Sequence, residues 1–254
     1  MLAVNDLAVR FGGVTALESV SFQVRPGSIT SVIGPNGAGK TTAFNAITGY
    51  LRPTGGRITY DGVALTGLRP SAIAQRGIVR TFQKTSVFPA LSVEDNVLTG
   101  LHLRGTAGFF AILAGRRRLS AEERSLAAEA TQIIEFVGLA HRGREAASAL
   151  PYGEQRLVEL AVALAARPRV LLLDEPGAGM TGSEKAVVSG LIRRVREQGV
   201  TVLLVEHDMR MVMGISDTVI VLNGGRVIAE GAPAAIQTHP EVIRAYLGAA
   251  AGSA

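Results

Sequence analysis

The run Ser31-Val32-Ile33-Gly34-Pro35-Asn36-Gly37-Ala38-Gly39-Lys40-Thr41-Thr42 constrains this chain more than any other stretch. It fits G-x-x-x-x-G-K-[ST], with Gly34, Gly39, Lys40 and Thr41 at the defining positions. Ile29, Val32 and Ile33 suit a short buried strand, and Lys40 to Ile47 carries neither Pro nor Gly and can open a helix. A strand, a glycine-rich turn and a helix N-terminus together make an anion cradle. The glycines let the backbone pass close to phosphate, while N–H groups and the helix dipole face the charge. In this pattern Lys40 reaches the β- and γ-phosphates of a nucleotide and the Thr41 hydroxyl ligates Mg²⁺. The bland alternative is a glycine-rich turn that only joins strand to helix. The complete pattern in its expected context argues against it.

The texture on either side says what carries the cradle. Residues 2–33 read as strands, with Val20, Phe22 and Val24 alternating with Ser21 and Gln23. Arg10-Phe11-Gly12-Gly13 and Pro26-Gly27 read as turns, and Pro53, Gly55-Gly56 and Asp61-Gly62 around Ile58 and Tyr60 as a hairpin. From about Ser92 the pattern turns helical. Leu126, Ile133, Ile134 and Val137 fall at helical spacing before Gly138, and Leu157, Leu160, Ala161 and Leu164 share a face after Gly153. Val170-Leu171-Leu172-Leu173 and Thr201 to Val205 are continuous apolar-leaning runs suited to central parallel strands. Val187, Val188, Leu191, Ile192 and Val195 predict an amphipathic helix between them. Val219 to Leu222 and Arg226 to Ala229, joined by Asn223-Gly224-Gly225, predict a last hairpin, and Ala249 to Ala254 a disordered tail.

The fold class expected is therefore α/β: a P-loop NTPase (RecA-like) core with an N-terminal antiparallel β subdomain and an inserted α-helical subdomain. One cassette spans residues 1–254. The β subdomain and core take residues 1–90 and 165–235, the helical subdomain 91–164, and a C-terminal helix and tail 236–254.

Composition excludes several functions. There is no cysteine, hence no disulfide, thiol nucleophile or cysteine–metal site. No basic leader precedes a long apolar segment, and no apolar run approaches the roughly 18–20 residues of a membrane span. A cytoplasmic protein that can sit against a membrane protein is expected. The net charge of +5 is partly local, in Arg116-Arg117-Arg118, Arg142 and Arg144. No aromatic residues interleave with these arginines, which reads as a solvated loop and helix end and not as a nucleic-acid surface.

Two further sites lie at strand ends. Leu173-Asp174-Glu175 places two carboxylates at the C-terminal end of a buried strand, where open α/β sheets bind ligands. There Asp174 would hold Mg²⁺ through water and Glu175 would polarise the attacking water; the bland alternative, a strand end with two solvated acids, is disfavoured by the P-loop beside it. His207 ends the Thr201–Val205 strand segment at the same sheet edge, which suits a γ-phosphate contact. Phe11 is core or stacks on a base; both remain open. Gln83 is a polar residue after an apolar-leaning strand, weak evidence alone.

Taken together, these motifs resemble the ATP-binding subunits of ABC transporters over nearly the whole chain. Gly34 to Thr42 resembles Walker A, Gln83 the Q-loop, Leu150-Pro151-Tyr152-Gly153-Glu154 the signature, Val170 to Glu175 Walker B and His207 the switch histidine. The resemblance implies ATP and Mg²⁺ as ligands. It assigns catalysis to Glu175, His207 and Gln83, the metal to Thr41, Gln83 and Asp174, and nucleotide contacts to Phe11, residues Gly34 to Thr42, Tyr152 and Gly153. It also implies a head-to-tail homodimer or heterodimer, each ATP lying between one copy's P-loop and the other's Tyr152-Gly153 helix N-terminus. Transmembrane permease subunits and, indirectly, a solute-binding protein complete the assembly, at the cytoplasmic face of the inner membrane.

Within that family the chain is most similar to the ATPases of branched-chain amino acid importers, the larger of their two types. Carrying residues are Arg80-Thr81-Phe82-Gln83, Leu91-Ser92-Val93-Glu94-Asp95-Asn96-Val97, Val205-Glu206-His207-Asp208-Met209, the ending Val242 to Gly248 and the insert around 104–120. Alternatives are an exporter ATPase, for a lipid or other cargo, and a soluble ABC ATPase outside transport. The latter usually carries coiled-coil insertions or two cassettes, and this chain has one cassette and no heptad run. Three positions depart from the family: Pro151 for the usual signature Ser, Glu154 for the following Gln, and Thr181 for the acid or Asn of the D-loop. Glu154 is expected to weaken anion attraction at the signature edge.

Overall fold

The computed structural model describes residues 1–81, 87–102 and 121–251 of the 254. Its contacts divide into two units, Met1–Arg80 with Arg169–Ala254, and Thr81–Pro168.

The first unit contains both sheets. Strand β1 (Leu2–Phe11) pairs antiparallel with β2 (Val14–Val24) on one side and with β4 (Gly55–Tyr60) on the other, and β5 (Val63–Ala64) completes the order β2-β1-β4-β5. The alternation read in β2 is real: Val20, Phe22 and Val24 are buried while Ser21 and Gln23 are exposed. The β4–β5 turn is Asp61-Gly62, both at positive φ (48° and 79°), the backbone that a two-residue hairpin loop demands.

The second sheet has the order β10-β9-β3-β8-β7-β6. Its strands are β3 (Ile29–Ile33), β6 (Ile78–Arg80), β7 (Val170–Asp174), β8 (Thr201–Val205), β9 (Thr218–Asn223) and β10 (Arg226–Gly231). All neighbours are parallel except β10 on β9, the expected last hairpin. Every residue of β3, β7 and β8 is buried, as continuous apolar runs covered on both faces require. One face packs with α1 (Lys40–Ile47): its Phe44 and Ile47 join Val32, Val170, Leu172, Leu203 and Val205, and the N-terminal sheet adds Leu7, Phe22 and Ile58 to the same core. Burying each such large side chain is worth about 1.5–3 kcal/mol, so the P-loop helix is fastened by its apolar face. The other face collects Ile33, Val219, Val221, Val212, Ile236 and Val242.

The short α2 (Pro70–Ala74) precedes β6, and three more helices flank this sheet: α6 (Gly182–Glu197), α7 (Met209–Ile215) and the short α8 (Pro233–Gln237). The amphipathic reading of α6 holds for Val188, Leu191, Ile192 and Val195, whereas Val187 is exposed. The last helix, α9 (Pro240–Ala251), extends into the expected disordered tail, so Ala249 to Ala251 are helical. Its Val242 belongs to the core and anchors the helix expected at this end of the chain.

The second unit is helical: α3 (Val93–His102), α4 (Ala121–Phe136) and α5 (Tyr152–Ala165). Among the described residues its buried α5 face centres on Val158, Leu160, Ala161 and Ala165, while Leu157 and Leu164 are only partly covered. Asn96 is fully buried and clamps the segment before α3. It accepts from Phe88 N at 2.7 Å and donates to the carbonyls of Phe88, Leu91 and Ser92. Phe88 itself is left 48% exposed. The insert at 104–120, the arginines 116–118 and Gln83 lie outside the described residues.

Candidate nucleotide site

The P-loop stands where the sequence places it. Strand β3 ends at Ile33 and α1 begins at Lys40, with Gly39 as a left-handed N-cap (φ 103°). Glycine is obligatory at two points for different reasons. At Gly34 (φ 149°) a Cβ would lie 2.0 Å from the carbonyl oxygen of Leu222, and at Gly39 2.6 Å from Leu17 and 2.8 Å from the carbonyl of Ala16. The loop is thus pressed between the β9–β10 turn and β2. Gly225 N donates to Ala38 O at 3.2 Å from that side.

Lys40 is buried and folds back along the loop, donating to the carbonyls of Gly34 at 2.7 Å and Pro35 at 3.0 Å. A third ammonium proton remains for a ligand. Burial lowers its pKa, against the opposing pull of Glu175 and then Asp174. The strand-end acids and the P-loop lysine therefore share one electrostatic environment. Thr41 is exposed at the start of α1, Thr42 is half-buried, and Asn36 and Gly37 are exposed on the loop.

Register sets the second half of the site. Asp174 and Val205 are partners in the parallel β7–β8 pair, so the residues that follow each strand emerge side by side. Glu175 takes a left-handed backbone (φ 52°) and its N–H donates to Val205 O at 2.8 Å. Its Oε1 lies 2.8 Å from Nε2 of His207. The two residues assigned separately from sequence thus form one pair, with a quarter of the Glu175 side chain and 45% of the His207 side chain exposed.

Asp174 is fixed differently. Arg80, the last residue of β6, donates from Nη2 to Asp174 Oδ2 at 2.7 Å, both side chains being buried. The other oxygen, Oδ1, is buried with no hydrogen-bond partner among the described residues. A buried acceptor left over at a strand end fits a group that arrives with its own donors, such as the water shell of a metal ion.

Sequence reasoning missed two residues here. Arg80 enters the sequence only as part of a family motif, and its partner lies 94 residues away. Glu206, buried at 4%, accepts from Gly177 N at 2.7 Å through Oε1, and from His207 N at 2.7 Å and Asp208 N at 3.2 Å through Oε2. One carboxylate so ties the loop after Glu175 to the backbone of His207. The mark it leaves in the sequence is an acid placed directly before His207 at the strand end. Asp208 then caps α7, accepting from Arg210 N and Met211 N, and Lys185 donates to it at 2.8 Å. Lys185, then the Met211 N–H, hold the Asp208 carboxyl below the usual range.

Phe11, at the end of β1, is 52% exposed, which removes the core alternative and leaves its ring available for stacking. The signature residues belong to the helical unit. Tyr152 and Gly153 open α5, and Pro151 at the N-cap gives no side-chain hydrogen bond. Glu154 lies 3.1 Å from Arg142, whose other end holds Glu145 at 3.0 Å. Arg142 is thereby an ion-pair centre and not merely a solvated charge, and the acid expected to repel anions is partly neutralised. Tyr152 carries Arg156 5.2 Å over its ring, with Arg156 Nε donating to the phenol oxygen at 3.0 Å. Thr181, the third departure, caps α6 in a full capping box with Glu184.

A largely parallel sheet with a P-loop after β3, a histidine after the adjacent β8 and two acids at the end of β7, together with a helical unit that contains a helix opening on Tyr152-Gly153, defines an ATP-binding cassette. The chain belongs to the ABC transporter family, whose model matches residues 17–178. Residues 226–252 match a further model, described as branched-chain amino acid ATP-binding cassette transporter. The chain is 43% identical to the high-affinity branched-chain amino acid transport ATP-binding protein BraF of Pseudomonas aeruginosa, over 98% of both chains. It is 42% identical to the corresponding LivG of Escherichia coli with the same coverage. Among solved structures it is similar to an ATP-binding cassette of an ABC transporter in its ADP conformation (TM-score 0.86, 31% identity, 98% of each chain). A nucleotide-free cassette superposes with TM-score 0.85 at 30% identity, over 97% of this chain and 98% of the other.

Proposed function

We propose that this chain is the ATP-hydrolysing subunit of an importer for branched-chain or chemically related amino acids. The observation that carries the hydrolytic part is the Glu175–His207 pair at 2.8 Å, on adjacent strands facing the same site as Lys40. The cargo class rests on the relatives, named for branched-chain amino acid transport, and on the match of the C-terminal segment.

Lys40 and the loop Gly34 to Thr42 receive the phosphates of ATP, and the exposed ring of Phe11 stacks on its base. The Thr41 hydroxyl and Asp174, through its unpartnered Oδ1, are the groups that hold Mg²⁺, with Gln83 as a further ligand. When bound, the ion neutralises charge on the β- and γ-oxygens. Among the described residues no three His, Cys, Asp or Glu gather into a metal cluster. That suits an ion ligated mainly by phosphate and water. Glu175 orients the attacking water and accepts its proton. His207 holds the Glu175 carboxylate and contacts the γ-phosphate. Catalysis is positioning plus electrostatics on an in-line attack.

The helix start at Tyr152-Gly153 serves the ATP held by a second cassette, in a homodimer or a heterodimer. No helix among the described residues is long and apolar enough to cross a membrane. On this reading, supported by relatives named as transport ATP-binding proteins, the protein works as a peripheral subunit on permease partners at the cytoplasmic face, fed by a solute-binding protein. The test is purification of the tagged chain from native membranes. Co-purifying permeases and a solute-binding protein that binds leucine, isoleucine or valine support the reading. Association with an exporter permease, or with no membrane subunit, overturns it.

A further inference from the structure

Arg80 does more at the strand end than neutralise an acid. Its guanidinium is gripped on three sides. Nη2 donates to Asp174 Oδ2 at 2.7 Å, and Nη1 donates to Asn45 Oδ1 at 2.7 Å and Thr48 Oγ1 at 3.4 Å. The plane lies 5.6 Å from the ring centroid of Phe44. Asn45, Thr48 and Phe44 all belong to the P-loop helix or its C-cap, and Thr48 is itself anchored by donating to Phe44 O at 2.6 Å. Arg80 thus fastens the Asp174 carboxylate to the helix that carries Lys40 and Thr41.

Three physical consequences follow. A carboxylate buried with no partner is strongly unfavourable, so the ion pair is what holds the Asp174 carboxylate in place. A guanidinium has a planar fork with fixed directions and never loses its charge, so it sets orientation where a lysine would supply only a point charge. Because Oδ2 is taken, only Oδ1 is free to act.

We propose that Arg80 is a positioning residue for metal binding: it selects Oδ1 of Asp174 as the atom offered to the nucleotide-bound ion and locks that atom in register with the P-loop helix. This rests on the reading of Asp174 as a metal-holding group. Arg80 touches neither nucleotide nor metal in this account and acts through Asp174.

The test measures metal binding apart from turnover. The full chain is loaded with ADP and titrated with Mn²⁺, followed by electron paramagnetic resonance, in wild type, Arg80→Met, Asp174→Asn and the double variant. ADP affinity in EDTA is measured in parallel. Arg80→Met is expected to weaken Mn²⁺ binding about tenfold, about 1.4 kcal/mol, while metal-free ADP affinity stays within about twofold. In the Asp174→Asn background the same change is expected to add nothing, since the two act as one unit. Unchanged or tighter Mn²⁺ binding in Arg80→Met overturns the proposal, as does an equal loss of ADP affinity without metal, which is what a merely structural role produces. If Asp174→Asn weakens Mn²⁺ binding and Arg80→Met does not, only the Arg80 proposal falls. If Asp174→Asn has no effect, the metal reading falls and takes this proposal with it. Should Arg80→Met not be recovered folded, Arg80→Lys keeps a cation but loses the fork. It is then expected to weaken Mn²⁺ binding about threefold or more, and an unchanged affinity overturns the proposal.

Discussion

Replacing Glu175 by Gln separates catalysis from fold stability, and the structure says how far apart the two effects fall. Glu175 sits in a left-handed backbone tied by its N–H to Val205 O, a bond that the substitution leaves alone. Its side chain hydrogen-bonds with His207 at 2.8 Å, in a pair whose members are 25% and 45% exposed. Ion pairs that wet are worth about 0–1 kcal/mol. An amide of the same shape keeps a hydrogen bond to the imidazole. The expected stability loss is below about 1 kcal/mol, a melting shift within about 2–4 °C for a chain of this size. The rate loss is of another order. Removing a general base costs about 10²–10⁴-fold, which is about 2.7–5.5 kcal/mol at about 1.36 kcal/mol per tenfold. Since the loop from Gly34 to Thr42 is untouched, ATP still binds. The assay is steady-state ATPase together with melting and size-exclusion chromatography, with and without ATP and Mg²⁺. Near-normal melting, slow turnover and a dimer formed only with ATP are expected. Hydrolysis at the wild-type rate refutes the assignment of Glu175. A monomer that is nonetheless slow leaves Glu175 standing and shows that closure needs the permease.

Three further outcomes are expected. Lys40→Ala removes the buried ammonium that lies against Gly34 O and Pro35 O; loss of such a charge-stabilising group costs about 3 kcal/mol or more, a rate drop above about 100-fold, and wild-type hydrolysis contradicts the P-loop reading. Phe88→Asp is expected to leave the ATPase of the isolated subunit intact but abolish permease binding, because Phe88 is half exposed while its backbone is clamped by Asn96; undiminished co-purification argues against an interface there, and loss of solubility shows a structural role instead. Asp208→Ala removes the α7 cap, costing about 1 kcal/mol at pH 7. Because the folded pKa of Asp208 is depressed, its contribution is fully present above the unfolded value near about 3.9 and fades as pH falls through the lower folded one; a urea-unfolding difference that persists undiminished at pH 2.5 contradicts the pairing with Lys185.

The sequence by itself determined whatever depends on near neighbours. The P-loop is legible because phosphate binding by backbone demands glycines at fixed offsets, and α1 begins at Lys40 as the pattern says. The strands β3, β7 and β8 are legible because burial on both faces leaves a run of apolar residues, and β2 because burial on one face leaves an alternation. Thr181-Gly182-Ser183-Glu184 even carries the spacing of a capping box, so the departure at Thr181 had a local explanation in plain view.

The tertiary structure decided everything that joins distant segments. Parallel register brings Glu175 to His207 across 32 residues, and the β6–β7 pairing brings Arg80 to Asp174 across 94. Glu206 reaches Gly177 across 29, and Glu154 finds Arg142 beyond the turn that precedes its helix. No periodicity marks such pairs, because a charge is placed by where its strand or helix ends and not by its neighbours in the chain. A buried carboxylate can be read as a site from sequence; which of its two oxygens is free depends on the cation that folding sets against the other.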